Sequence, residues 1–120
     1  MDVIRLRDVT VFPRLGVAEV EKVKGSVYRL KKVVEKPERP KTNLAIMPIY
    51  IFNPVIFKAL KDVSPGKGNE IQLTDGMQRL IDMGLGSYAL KMNPRDIWLD
   101  IGTIETYWNA LETSYERFAR

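Results

Sequence analysis

The sequence has 120 residues, 45% hydrophobic and 28% charged, which suits one folded domain and argues against global disorder. It contains no cysteine and no histidine, which excludes disulfides, thiolate nucleophiles, cysteine or histidine metal sites and imidazole acid-base chemistry. The net charge of +4 is spread along the chain; its one basic cluster, Lys31, Lys32, Lys36, Arg39 and Lys41, is broken by acids and prolines and argues poorly for a nucleic-acid groove.

No apolar run approaches the roughly 20 residues of a membrane-spanning helix, and residues 1–8 lack a signal-peptide pattern, so the expected compartment is the cytoplasm, with no membrane partner. Residues 16–20 and 26–34 read as β segments around a turn at Lys24-Gly25, an antiparallel hairpin. Two prolines make the stretch Glu35-Lys36-Pro37-Glu38-Arg39-Pro40-Lys41 an extended connector. Residues 44–52 form a nearly continuous apolar run of the kind found in a strand covered on both faces, with a bulge or an unpaired side expected at Pro48.

Asn53-Pro54 opens a short helix through Leu60, with Asn53 as its cap and Pro54 in its first turn. Thr74 is a candidate cap for a second helix, which places Met77, Leu80 and Ile81 on one face and ends near Gly84. A strand is expected over 87–92, and a short buried segment over 97–102. Thr103 caps a last helix whose stripe of Ile104, Tyr107, Trp108, Leu111, Tyr115 and Phe118 is expected to lie on a sheet. The order of elements predicts an α/β or α+β layered domain, with a partial mixed sheet, covering helices and one open edge.

Three segments place polar groups at proline or glycine corners, where ligand sites of α/β sheets tend to sit. In Glu35-Lys36-Pro37 the ammonium suits a phosphate and the carboxylate suits sugar hydroxyls, provided that the backbone bends to bring both into one pocket. The alternative is an exposed loop. In the second segment, residues 69–75, Asp75 most simply favours a helix dipole. In Trp98-Leu99-Asp100-Ile101-Gly102-Thr103, the Asp100 carboxylate either binds a cation such as Mg²⁺ or caps the Gly102 turn. Lys67 is most simply a solvated loop lysine.

Together these segments resemble the glucose-1-phosphate uridylyltransferase and thymidylyltransferase family of sugar-1-phosphate nucleotidylyltransferases. The resemblance runs through Arg14-Leu15-Gly16-Val17, Val34-Glu35-Lys36-Pro37, Asn43-Leu44-Ala45 with Tyr50, Glu70-Ile71-Gln72-Leu73-Thr74-Asp75, and Trp98-Leu99-Asp100-Ile101-Gly102-Thr103. It implies the C-terminal part of a Rossmann-like nucleotide-diphospho-sugar transferase fold. Residues 14–120 would be its sugar-phosphate-binding half, and residues 1–13 a remnant of the half before it.

By the family pattern, the Gly16 backbone lies close to the sugar, Glu35 binds its hydroxyls, Lys36 binds its phosphate, Tyr50 lines the pocket, Lys67 sits near the phosphate, and Asp100 helps to hold Mg²⁺. The reaction implied is transfer of a nucleotidyl group from UTP or dTTP to glucose-1-phosphate. The family's glycine-rich nucleotide loop and its second metal-binding aspartate belong to an N-terminal half that this sequence does not contain. The chain by itself is therefore expected to be inactive, and a nucleoside triphosphate to bind only if that half is supplied.

Pro48 and Asn69 stand where glycine is usual in the family. A homo-oligomer is expected. The rival readings are a regulatory or binding module that self-associates or pairs with a nucleotide-binding chain, and a small basic nucleic-acid-binding domain.

Overall fold

The computed structural model describes residues 2–8 and 15–119, apart from the side chains of Arg5, Arg7, Asp8 and Lys67. Arg14 lies outside the described residues. Five strands, β1 (Asp2–Asp8), β2 (Val17–Lys24), β3 (Val27–Val34), β4 (Leu44–Ile51) and β5 (Ser87–Lys91), carry three helices, α1 (Val55–Lys61), α2 (Leu73–Asp82) and α3 (Ile104–Phe118). The result is the α/β layered fold with a mixed sheet that the order of elements predicts.

The strands pair in the order β1-β4-β2-β3-β5, and β1 also pairs with β5, so the sheet closes on itself. The β1–β5 join is parallel and the others are antiparallel. The expected open edge is therefore corrected: β1, from the stretch read as a remnant of a preceding half, covers the flank of β4. Its alternating pattern buries Ile4 and Leu6 in the core with Ala18, Leu30, Val33, Leu44, Ile46, Met77 and Ala89.

The β2–β3 hairpin turns at Gly25, whose φ of 56° is left-handed and suits glycine. In the β1–β4 ladder, Ile4 faces Tyr50 and Arg5 faces Met47, so Pro48 and Ile49 bulge out of register. A proline has no N–H to give to the ladder, and the bulge expected at Pro48 removes the need for one. Only the first half of β4, Leu44 to Met47, is buried; Pro48, Ile49 and Ile51 are exposed. The run is thus covered along half its length.

Asn53 accepts a hydrogen bond at Oδ1 from the Val55 N–H, 3.2 Å away, as α1 begins, while the helical backbone of Pro54 forms the boundary. In α2, Met77 and Leu80 are buried on the predicted face, and Gln78 accepts a hydrogen bond from the Val33 N–H at 2.8 Å, which ties the helix to β3. Ile56, Ala59 and Leu80 form a smaller core between α1 and α2. Asp2 is buried; its carboxylate accepts from the Asn53 N–H at 2.8 Å and from Ser87 Oγ at 3.4 Å, clipping three parts of the chain together.

Two expectations fail at the C-terminal end. Residues 97–102 are neither a strand nor buried: Ile97, Leu99, Asp100 and Ile101 are exposed in irregular chain. Helix α3 forms as predicted, with a Thr103–Thr106 capping box, but its stripe is not packed on the sheet. Ile104 is 84% exposed, Trp108 65% and Tyr115 74%, and no substantial packing links α3 to another described element. Helical spacing reveals an apolar face but not what covers it. No helix among the described residues is long and apolar enough to cross a membrane.

Leu6 is fully buried in β1, so Leu6→Ala is expected to cost about 2–5 kcal/mol in a urea melt with an unchanged m-value. A loss under about 0.5 kcal/mol would make β1 peripheral.

Candidate active site

The connector after β3 begins with a sharp reversal. Lys36 has φ 43°, a left-handed value that side chains with a Cβ rarely adopt. The residue before a proline normally stays extended, so Pro37 makes the conformation less favourable still. Its geometric effect is to break the alternation of the strand, so that the consecutive residues Glu35 and Lys36 line one pocket. That pocket, about 250 Å³, is bounded by Val34, Glu35, Lys36, Glu70, Gln72 and Asp75.

Glu35 is held from several sides. Its Oε2 accepts a hydrogen bond from Thr74 Oγ1 at 2.5 Å, and Lys36 Nζ stands 3.6 Å from Oε1. Gly16 makes room for this arrangement: a Cβ there would lie 3.2 Å from Glu35 Oε2 and 3.4 Å from Thr74 Oγ1, and its carbonyl accepts from the Ile46 N–H at 2.9 Å. Tyr50 stacks on Phe52 with ring centroids 5.4 Å apart. Burial, and then the Glu35 charge, raise the Tyr50 phenol above 10.0, because both disfavour a second anion there.

The cap expected at Thr74 does not form. The helix starts at Leu73, with Gln72 at the cap position and no side-chain cap bond. The hydroxyl is spent on Glu35 instead, a long-range role that helix-start rules do not reveal. Asp75 lies in the first turn, as expected from its place after the cap, and also lines the pocket. Glu70 and Gln72 are further pocket residues that the sequence reading did not single out as ligands.

The loop before α2 folds into a single 3-10 turn, Lys67–Asn69. Asn69, at φ 59°, takes a left-handed conformation that asparagine tolerates better than most residues, so its place at a usual glycine position is no obstacle. The Gly66 N–H donates to the Glu70 carbonyl at 2.9 Å, closing the loop beside the pocket. Lys67 belongs to this turn by its backbone, and its side chain lies outside the described set.

Asp100 is exposed and is not part of the pocket wall. Its carboxylate lies beside Gly102, where an added Cβ would meet Oδ2 at 3.4 Å. Among the described residues, no group of three or more acidic side chains is arranged to hold a metal ion.

The profile of the Nucleotidyl transferase family matches residues 4–117. The chain belongs to this family. This nucleotidyl transferase chain is 34% identical to the UTP–glucose-1-phosphate uridylyltransferase of Pseudomonas aeruginosa over 105 residues, 86% of this chain and 37% of that protein. It is also 34% identical to a low-salt glycan biosynthesis nucleotidyltransferase of Haloferax volcanii, over 79% of this chain and 25% of that one. A crystal structure of UDP-glucose pyrophosphorylase complexed with UDP-glucose superposes with a TM-score of 0.86 and 31% identity, covering 97% of this chain and 44% of that one. The nucleotidyl transferase chain thus spans less than half the length of these relatives.

The charge effect of Glu35 on Tyr50 is open to a pH measurement. A raised phenol pKa means that the fold favours the protonated ring, so its contribution to stability is full below pH 10.0 and is lost as pH rises through the folded value. In an alkaline absorbance titration, Tyr50→Phe should remove a late-ionising tyrosine, and Glu35→Gln should move that step back part of the way. An unchanged step in Glu35→Gln would separate the two groups.

Proposed function

We propose that this chain is the sugar-phosphate-binding part of an enzyme that transfers a nucleotidyl group from UTP, or next dTTP, to glucose-1-phosphate in the cytoplasm. The observation that carries this reading is the corner at Lys36, which turns a carboxylate and an ammonium into the same pocket. In this reading Glu35 accepts hydrogen bonds from sugar hydroxyls and Lys36 binds the phosphate, while the Gly16 backbone and Tyr50 border the sugar and Lys67 helps with the phosphate. The family membership and the relatives named for glucose-1-phosphate or UDP-glucose support the same substrate class.

In the reaction, a phosphate oxygen of the sugar-1-phosphate forms a bond to the α-phosphorus of the triphosphate. The bond from that phosphorus to the bridging oxygen breaks, and pyrophosphate leaves. Positioning and charge neutralisation can drive such a step without an activated side chain. A sequence free of histidine and cysteine therefore suits it.

Asp100 is the residue that would hold Mg²⁺. Its carboxylate is exposed and takes no hydrogen bond or ion pair among the described residues, which leaves its oxygens open to a hard cation. Mg²⁺ commonly takes one or two protein carboxylates and completes its shell with water and phosphate oxygens. When bound, it would supply neutralisation of phosphate charge.

The 120-residue chain is expected to bind glucose-1-phosphate in calorimetry, with Lys36→Ala weakening binding by about tenfold or more, and to release no pyrophosphate from UTP or dTTP with Mg²⁺. Unchanged affinity in Lys36→Ala would overturn the assignment of the phosphate. Steady pyrophosphate release would overturn the assignment of the chain as a partial site.

One observation favours a second reading, a module that pairs with a nucleotide-binding chain or with itself: the apolar stripe of α3 is exposed, and contiguous apolar surface of this kind marks contact sites. Sedimentation is expected to show association that Trp108→Glu reduces. A stable monomer that also fails to bind a nucleotide-binding partner would remove this reading.

A further inference from the structure

A second pocket lies beside the first. Residues 17 and 19 of β2 pair with residues 34 and 32 of β3, so Val17, Glu19, Lys32 and Val34 share one face of the hairpin. The connector crosses this face, and every second residue of it, Pro37, Arg39 and Lys41, lines the open, concave space of about 130 Å³. Thr42 anchors the crossing by donating from Oγ1 to the Ala18 carbonyl at 2.6 Å.

The charge there is unbalanced. Three cations face one carboxylate, Glu19, which stands 3.8 Å from Lys41 Nζ. Lys32 and Arg39 make no ion pair among the described residues, whereas the neighbouring Lys31 is spent on Glu21 at 2.6 Å. Like charges gathered around a concave space repel one another and favour a bound anion. Arg39 adds a planar fork of donors suited to phosphate oxygens.

We propose that this pocket is a second anion site, distinct from the one at Lys36, that takes a phosphate group, either free or as the head of a small phosphorylated metabolite. Its small volume and lack of aromatic walls suit a single phosphate better than a nucleic-acid strand. Val34 lines both pockets, and the strained Lys36 corner lies between Val34 and Pro37. A phosphate bound here draws Arg39 and Lys41 inward on the connector that carries Lys36, which gives it a means of adjusting the first site.

The test is a ¹H–¹⁵N NMR titration of the 120-residue chain with inorganic phosphate and, separately, glycerol phosphate, against chloride at equal ionic strength. Saturable shifts are expected at the amides of Lys32, Arg39 and Lys41. They should persist in Lys36→Ala and weaken at least tenfold in affinity in an Arg39→Gln/Lys41→Gln double variant whose spectrum stays dispersed, with Arg39→Lys recovering part of the loss. Tighter binding of the ester identifies a phosphorylated metabolite and equal binding free phosphate; both uphold the site. Shifts that vanish in Lys36→Ala, that chloride reproduces, or that survive the double variant would overturn it. Because Lys36→Ala is read separately, loss of this site leaves the glucose-1-phosphate assignment standing, and the reverse also holds.

Discussion

The site depends on one constrained residue. A lysine before a proline at φ 43° sits in a region that costs on the order of 1–3 kcal/mol and persists only where the surroundings over-determine it. Here the surroundings do so from both sides. The pairing of Val34 with Val17 fixes the strand up to the corner, and the Thr42 bond to Ala18 fixes the chain beyond it. Between these anchors, the bond from Thr74 holds the Glu35 carboxylate. An extended Lys36 would point away from Glu35, and neither could serve a shared ligand.

The chain before β2, β4 and α2 meet beside this corner. Gly16, just before β2, receives the Ile46 N–H and leaves space for the Glu35–Thr74 pair. Met77 buries the same face of α2 that Thr74 opens, so core packing places the hydroxyl within reach of the carboxylate. A larger residue at position 16 would move Glu35 or Thr74 by some tenths of an ångström, and a bond of 2.5 Å tolerates little of that. Site and core are one packing problem here.

How much of this was legible in the sequence follows the range of the interactions involved. The hairpin at Gly25, the bulge at Pro48, the faces of α2 and the Thr103 cap all rest on local chemistry, and each forms as read. Gly16, Glu35 and Lys36 were found as candidates, but the left-handed Lys36 that unites the last two was visible only as a need for some bend near Pro37. Thr74 was misread because a local cap and a distant carboxylate make the same demand on a hydroxyl. The covering of α3 and of residues 97–102 was misread because apolar spacing reports burial in whatever assembly the residues serve, and the described residues do not supply that cover. Closure of the sheet by β1 is a long-range pairing of residues 2–8 with residues 44–51 and 87–91, which no local pattern announces.

The distances at the corner also bear on how the ammonium is held. Lys36 Nζ stands 3.6 Å from Glu35 Oε1, and its side chain is 43% exposed. A pair so loose and so wet contributes little stability, so the carboxylate keeps the ammonium near without consuming it. The tighter bond of Glu35 goes to the neutral Thr74, which holds the carboxylate without cancelling its charge. In the proposed reading, a phosphate arriving at Lys36 would displace only this weak contact and would leave the Glu35 carboxylate in place. Had Glu35 and Lys36 formed a close buried pair, either ligand contact would first have to break a strong one. The corner keeps the two charges 3.6 Å apart on the wall of one pocket, the separation that the proposed shared ligand would need.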